Sequence, residues 1–322
     1  MTRFLPPVSL KNCEQSAFPV YIPSVLLYNG SGNRREAFRR QILIGQVDDM
    51  NSAAQKNLFR LKTGYLCFLI AAGIATVGLR LYVISTEKMS VLSAVLTAVF
   101  LACCAVFSFF FRKKTGGVKM STPLVTFSNA VVGLLTVTMI VSYFVLKKEA
   151  DVNAVISIIM LIFSVLSAFY FLLAAASGSF CRKTGMFALF SMSVPLYFAF
   201  RSLNDYINVS TLPLHNSGAY HILGMIFAML FFMAESKRLT GAGGSFLYMT
   251  FGGAAFLLLA AYDIPNLVNY VRGLASGGYG AVQSLFSVGV MAYVAVRIAT
   301  ALPAEEEPGP AAPEQTPETT DA

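Results

Sequence analysis

Arg201, Asn204, Asp205 and Asn208 recur at spacings of three and four residues, and Asp263, Asn266, Asn269 and Arg272 recur at a spacing of three. On helices these spacings line each set along one face. Between them lie both histidines of the chain, His215 and His221. The chemistry this combination suits is recognition, because Arg presents paired donors to planar anions such as carboxylate or phosphate. The expectation is an outer vestibule that holds a small polar or anionic solute, with Arg201, Asp205, His215, His221, Asp263, Asn266, Asn269 and Arg272 as its ligand-binding residues. The blander reading of the same residues is solvated loop chemistry, with an Arg201–Asp205 helical pair worth roughly a few tenths of a kcal/mol.

Catalytic chemistry finds less support. There is no HExxH zinc motif and no Walker-type phosphate loop, and two histidines are too few for a chain of bis-His haems. Ser179 follows Gly178, but no base is expected at its depth. The five cysteines, Cys13, Cys67, Cys103, Cys104 and Cys181, form no CxxC. His221, Met225, Met229 and Met233 recur every four residues, which fits a Cu(I) path but fits apolar gap-filling better. No catalytic residue, metal ligand or cofactor is therefore expected, and an enzyme is the least supported class.

The elements that must position these groups are apolar. Hydrophobic residues make up 56% of the chain and charged residues 12%, whereas charged residues reach about a quarter of a soluble protein. The net charge of +8 is scattered through turns instead of forming a patch with interleaved aromatics, so nucleic acid is not an expected partner. Apolar runs over 64–84, 90–111, 122–146, 152–176, 186–200, 218–234, 245–262 and 281–302 predict an all-α, polytopic membrane bundle of about eight transmembrane helices in contact with lipid. The fifth and sixth runs are short, and Pro195 is expected to kink the fifth. Polar segments after the fifth and seventh runs are expected as amphipathic extensions on the outer rim.

Eighteen of the 24 Lys and Arg residues fall on one side of this scheme, which predicts both termini in the cytoplasm and a plasma-membrane location. Three turns of similar type, Arg112-Lys113-Lys114-Thr115-Gly116, Arg182-Lys183-Thr184-Gly185 and Lys237-Arg238-Leu239-Thr240-Gly241, would sit on that side. Arg80 is expected to snorkel to the outer interface, and Glu235 to be exposed at the inner one or paired locally with Lys237 and Arg238. Residues 1–63 read as a cytoplasmic tail without a signal peptide, carrying an amphipathic segment over 35–44, with Met50 as an alternative start. Residues 303–322 read as a disordered, acidic, Pro-rich tail. Two functions follow as expectations: small-solute binding or transport, or a non-transporting sensor or assembly subunit acting through a membrane protein partner.

Overall fold

A computed structural model describes residues 59–84, 90–112, 115–118, 122–146, 154–176, 187, 190–210, 216–239, 244–274 and 278–303. All belong to the compact unit Ala53–Ala322. The amphipathic segment over 35–44, the 182–185 turn, His215 and the tail beyond 303 lie outside the described residues.

The described chain is helical apart from one short ladder. Helices α1 (Phe59–Ile84) and α2 (Ser90–Phe109) are followed by strand β1 (Thr115–Val118), α3 (Pro123–Leu146) and α4 (Ala154–Ala176). Then come α5 (Ser193–Ser210), α6 (Asn216–Leu239), α7 (Ser245–Val271), α8 (Gly278–Thr300) and strand β2 (Ala301–Pro303). Seven of these helices, all but α5, are long and apolar enough to cross a membrane, which makes this a multi-pass membrane protein. Ile70, Ile74, Val95, Leu134, Ile158 and Ile162 are exposed along α1 to α4 and face the lipid.

Packing closes α3 to α8 into a ring, in which each helix lies against the next and α8 returns to α3. The α1–α2 hairpin flanks this ring through α7, with Tyr65 donating its hydroxyl hydrogen to the Met249 carbonyl at 2.9 Å. Helix α7 is the most enclosed of these seven, with 72% of its apolar stretch buried, and its small residues explain why. A Cβ at Gly253 would collide with the Tyr65 hydroxyl, and one at Gly252 would press on Phe231 and Ile298. Bare glycines thus let α7 touch neighbours on two sides, the usual device for close helix contact where lipid offers no hydrophobic drive.

The ladder fixes the number of passes. Antiparallel pairing of β1 with β2 brings the C-terminal ends of α2 and α8 to one end of the bundle. The chain between them therefore makes an even number of passes, and α5 must run through the bundle with α3, α4, α6, α7 and α8. It does so shielded by α4 and α6, which is how so polar a helix is accommodated.

Several expectations are corrected. The fifth helix is not a short span over 186–200 ending in a rim extension. It runs from Ser193 to Ser210, so Arg201 lies in its middle. Pro195 sits in its first turn, where the missing N–H costs no intrahelical bond, and the proline inside a helix is Pro265 of α7. The sixth helix reaches Leu239 and the seventh continues past Asp263 to Val271. Thr115 and Gly116 begin a strand instead of ending a helix. Arg80 does not snorkel: it is 6% exposed and its guanidinium lies 4.1 Å from the centre of the Tyr220 ring.

Candidate functional site

Four helices build one polar layer. Tyr197, Arg201 and Asp205 follow at intervals of four along α5 and so share a face. His221 comes from the second turn of α6, Tyr262, Asp263 and Asn266 from α7 and Gln283 and Ser284 from α8. His221 stands about 8 Å and Ser284 about 9 Å inside the helix start, at about 1.5 Å per residue. This is the end opposite the β1–β2 ladder.

His221 is the hub. Its Nε2 lies 3.3 Å from Asp205 Oδ2 and its Nδ1 3.5 Å from Asp263 Oδ2, while its ring packs 4.6 Å from that of Tyr262. Asp205 is also 3.9 Å from Arg201 Nε, too far for a hydrogen bond. Arg201 is 1% exposed and Asp263 is fully buried. The Arg201 Nη1 donates to the Tyr197 hydroxyl at 3.0 Å, and that hydroxyl in turn contacts Met139 Sδ of α3 at 3.0 Å. Asn266 Nδ2 donates to Ser284 Oγ at 2.7 Å, tying α7 to α8.

The layer is incompletely satisfied. Arg201 Nε and Nη2 and both carboxylate oxygens of Asp263 are buried without a hydrogen bond. Such groups are rare in native interiors and each costs about 1–3 kcal/mol, more when charged. Beside them opens a cavity of about 200 Å³ lined by Arg201, Asp205, His221, Tyr262, Asn266 and Ser284, with Gly218, Ile222, Gly280 and Gln283 completing the wall.

The eight residues predicted from sequence divide accordingly. Arg201, Asp205, His221, Asp263 and Asn266 come together. Asn269 is half-buried but does not line the cavity, Arg272 is exposed at the C-cap of α7, and His215 lies outside the described residues. Asn204, on the same helix as Arg201, is buried as well. Tyr197, Tyr262, Gln283 and Ser284 were missed. The four-residue step from Tyr197 to Arg201 was the available signal for the first.

A second buried polar layer lies at the ladder end and corrects the reading of Glu235. Far from being exposed at an interface, Glu235 is 1% exposed and pairs across helices with Arg297 of α8, which is fully buried. Both Nε and Nη2 of Arg297 reach Glu235 Oε1, which also accepts from the Tyr293 hydroxyl at 3.0 Å. Arg238 lies above the Tyr248 ring at 4.6 Å, so this basic residue of the third turn is also inside the protein. Between the two layers Met225, Ala228, Phe231, Phe232, Leu259, Val290 and Val294 form a continuous apolar plug. From His221 to Glu235 along α6 this plug is about 20 Å long.

The methionine series on α6 is not a ligand set. Met225 is fully buried in the core and Met233 is 39% exposed on the outside. No cluster of three His, Cys, Asp or Glu residues suited to a metal occurs among the described residues. Comparison with known protein families, curated proteins and solved structures gives no match.

Proposed function

We propose that this protein binds a small polar or ionic solute in the cavity at the Arg201 end and moves it across the membrane. The observation that carries this reading is a cavity walled by helices α5 to α8 on whose wall stands the buried Arg201, with two of its donors unsatisfied. Polar groups at membrane depth are costly and are retained where they bind or conduct something. A volume of about 200 Å³ is below the about 300–1,000 Å³ of pockets for drug-sized ligands, which favours a small solute.

Translocation needs a closed opposite end, and the apolar plug with the Glu235–Arg297 pair supplies it. Exchange of access would then require this pair to part as the cavity closes. Lys and Arg bias favours the ladder end as cytoplasmic, with the cavity facing outward across the plasma membrane. A purely structural sensor or assembly subunit has no need of an unfilled polar cavity.

The test uses Gly280→Cys in a background with the native cysteines replaced by alanine. Gly280 lines the cavity and a Cβ there meets nothing within 4 Å, so the substitution fits the fold. A membrane-impermeant thiol reagent should label this position, and a member of a panel of small polar solutes should protect it and be taken up by proteoliposomes. Protection without uptake rejects transport and leaves binding. Labelling that no solute slows rejects both.

A further inference from the structure

We infer that the solute is a short-chain monocarboxylate, held by the Nε/Nη2 edge of Arg201; the inference rests on the solute-site reading above. A guanidinium has two edges that can take a carboxylate in a fork, and the structure distinguishes them. Nη1 is occupied by the Tyr197 hydroxyl at 3.0 Å. Nε and Nη2 form the remaining edge, and neither has a hydrogen-bond partner although both are buried. Two parallel N–H donors on one rigid plane match the two oxygens of a carboxylate.

Asp205 does not fill that role. Its nearer oxygen stops 3.9 Å from Nε and sits 3.3 Å from His221 Nε2. It supplies a competing internal carboxylate, close enough to displace and already provided with an alternative partner in His221. An incoming carboxylate would take the Arg201 edge while Asp205 stays with His221. Asn266, Gln283 and Ser284 offer amide and hydroxyl groups further along the wall, and Ile222 with Tyr262 offers apolar surface for a short tail.

Charge sets the valence. Arg201 and a protonated His221 balance Asp205 and Asp263, so the open donors of Arg201, not a surplus of positive charge, favour an anion, and a single negative charge is the most the layer accommodates. A dianion would bring a second uncompensated charge into a buried layer. A cation would find Asp205 already facing His221 and Arg201, and Asp263 off the cavity wall. A zwitterion such as glycine would have to place its ammonium in the same layer.

The experiment uses the full chain in nanodiscs, with propionate as probe. Propionamide serves as the neutral isostere, and glycine, sulfate and inorganic phosphate as competitors. Calorimetry and protection of Gly280→Cys should both report propionate and not propionamide. Arg201→Lys keeps the charge but loses the fork, and should weaken propionate at least about tenfold, the equivalent of about 1.4 kcal/mol. Should Arg201→Lys fail to fold, the propionate-against-propionamide comparison on the unaltered Arg201 decides alone. Preference for phosphate, sulfate or glycine, or equal binding of propionamide, overturns the carboxylate assignment and leaves the solute site standing. Protection by no solute in this or the wider panel overturns both.

Discussion

Replacing Glu235 by Gln should destabilise the protein far more than a surface charge change. The side chain keeps its size and an oxygen that can accept from Tyr293, so the perturbation is mainly the loss of charge. What remains is Arg297, fully buried, with the Arg238 guanidinium near by at 3% exposure. Breaking a buried pair by removing one partner costs about 3–5 kcal/mol, because the surviving ion is left without compensation. Replacing both members, as Glu235→Gln with Arg297→Met, removes the stranded charge and should recover most of that loss. The double variant is expected within about 1–2 kcal/mol of the parent, giving a coupling energy of at least about 2 kcal/mol.

The assay is reversible unfolding in mixed micelles with increasing SDS fraction, followed by circular dichroism. The chain has no tryptophan, so fluorescence would report only its 14 tyrosines. Single variants that each cost less than about 1 kcal/mol, as a solvated ion pair would, refute the reasoning. Additive single effects would refute it too, since they would show that the two groups do not sense each other.

Two further outcomes follow from the geometry. Gly253→Ala forces a methyl group against the Tyr65 hydroxyl at the α1–α7 contact; the same unfolding assay should show a loss of about 1–3 kcal/mol, and an unchanged midpoint would mean that α1 is free to shift. Propionate affinity should rise as pH falls from about 8 to about 6, by up to about tenfold per unit, because each bound anion adds negative charge beside Asp205 and Asp263 and a proton on His221 offsets it. The charged and titratable groups that frame His221 are Arg201 and Asp205 on α5, Tyr262 and Asp263 on α7 and Tyr279 on α8; a flat profile in the parent, or a slope that persists in His221→Gln, refutes the link.

Long apolar runs made the bundle legible, and the fifth run caught the apolar first half of α5, whose polar second half keeps it from meeting a strict apolar criterion. The helix ends were misplaced for one physical reason. Each run was closed at its first charged residue, Arg201 or Asp263, on the premise that charge marks the water interface. In the fold those charges are met by residues of neighbouring helices, so the backbone continues as helix past them. Local spacing could align Arg201 with Asp205 and Asp263 with Asn266, because those relations lie within one helix. It could not find Glu235 with Arg297 or Arg80 with Tyr220, which are 62 and 140 positions apart by subtraction of their numbers and meet only through packing. Ser284 was invisible for the same reason, since its role depends on Asn266 of α7.

The two buried layers pair their charges differently, and the difference constrains a transport cycle. At the ladder end one carboxylate oxygen of Glu235 gathers the Arg297 guanidinium and the Tyr293 hydroxyl, while the other, Oε2, is buried without a hydrogen bond. At the other end Arg201 and Asp263 have donors and acceptors without hydrogen bonds beside a cavity. Under the proposed cycle, opening the ladder end parts the ion pair, and because hydration of the two freed ions offsets much of the lost attraction the net cost is about a few kcal/mol at most. Two charge-assisted hydrogen bonds from Arg201 to a carboxylate return about 1.5–3 kcal/mol each at best, less the cost of drying the ligand. The two quantities are of the same size, so the bound solute brings the states close to balance without driving the exchange outright. Weakening the ladder layer should therefore tip the resting population. Glu235→Gln is expected to open the ladder end and slow labelling of Gly280→Cys from the Arg201 end even without solute. If the labelling rate stays at the Glu235 value, the ion pair is a structural clamp and no gate.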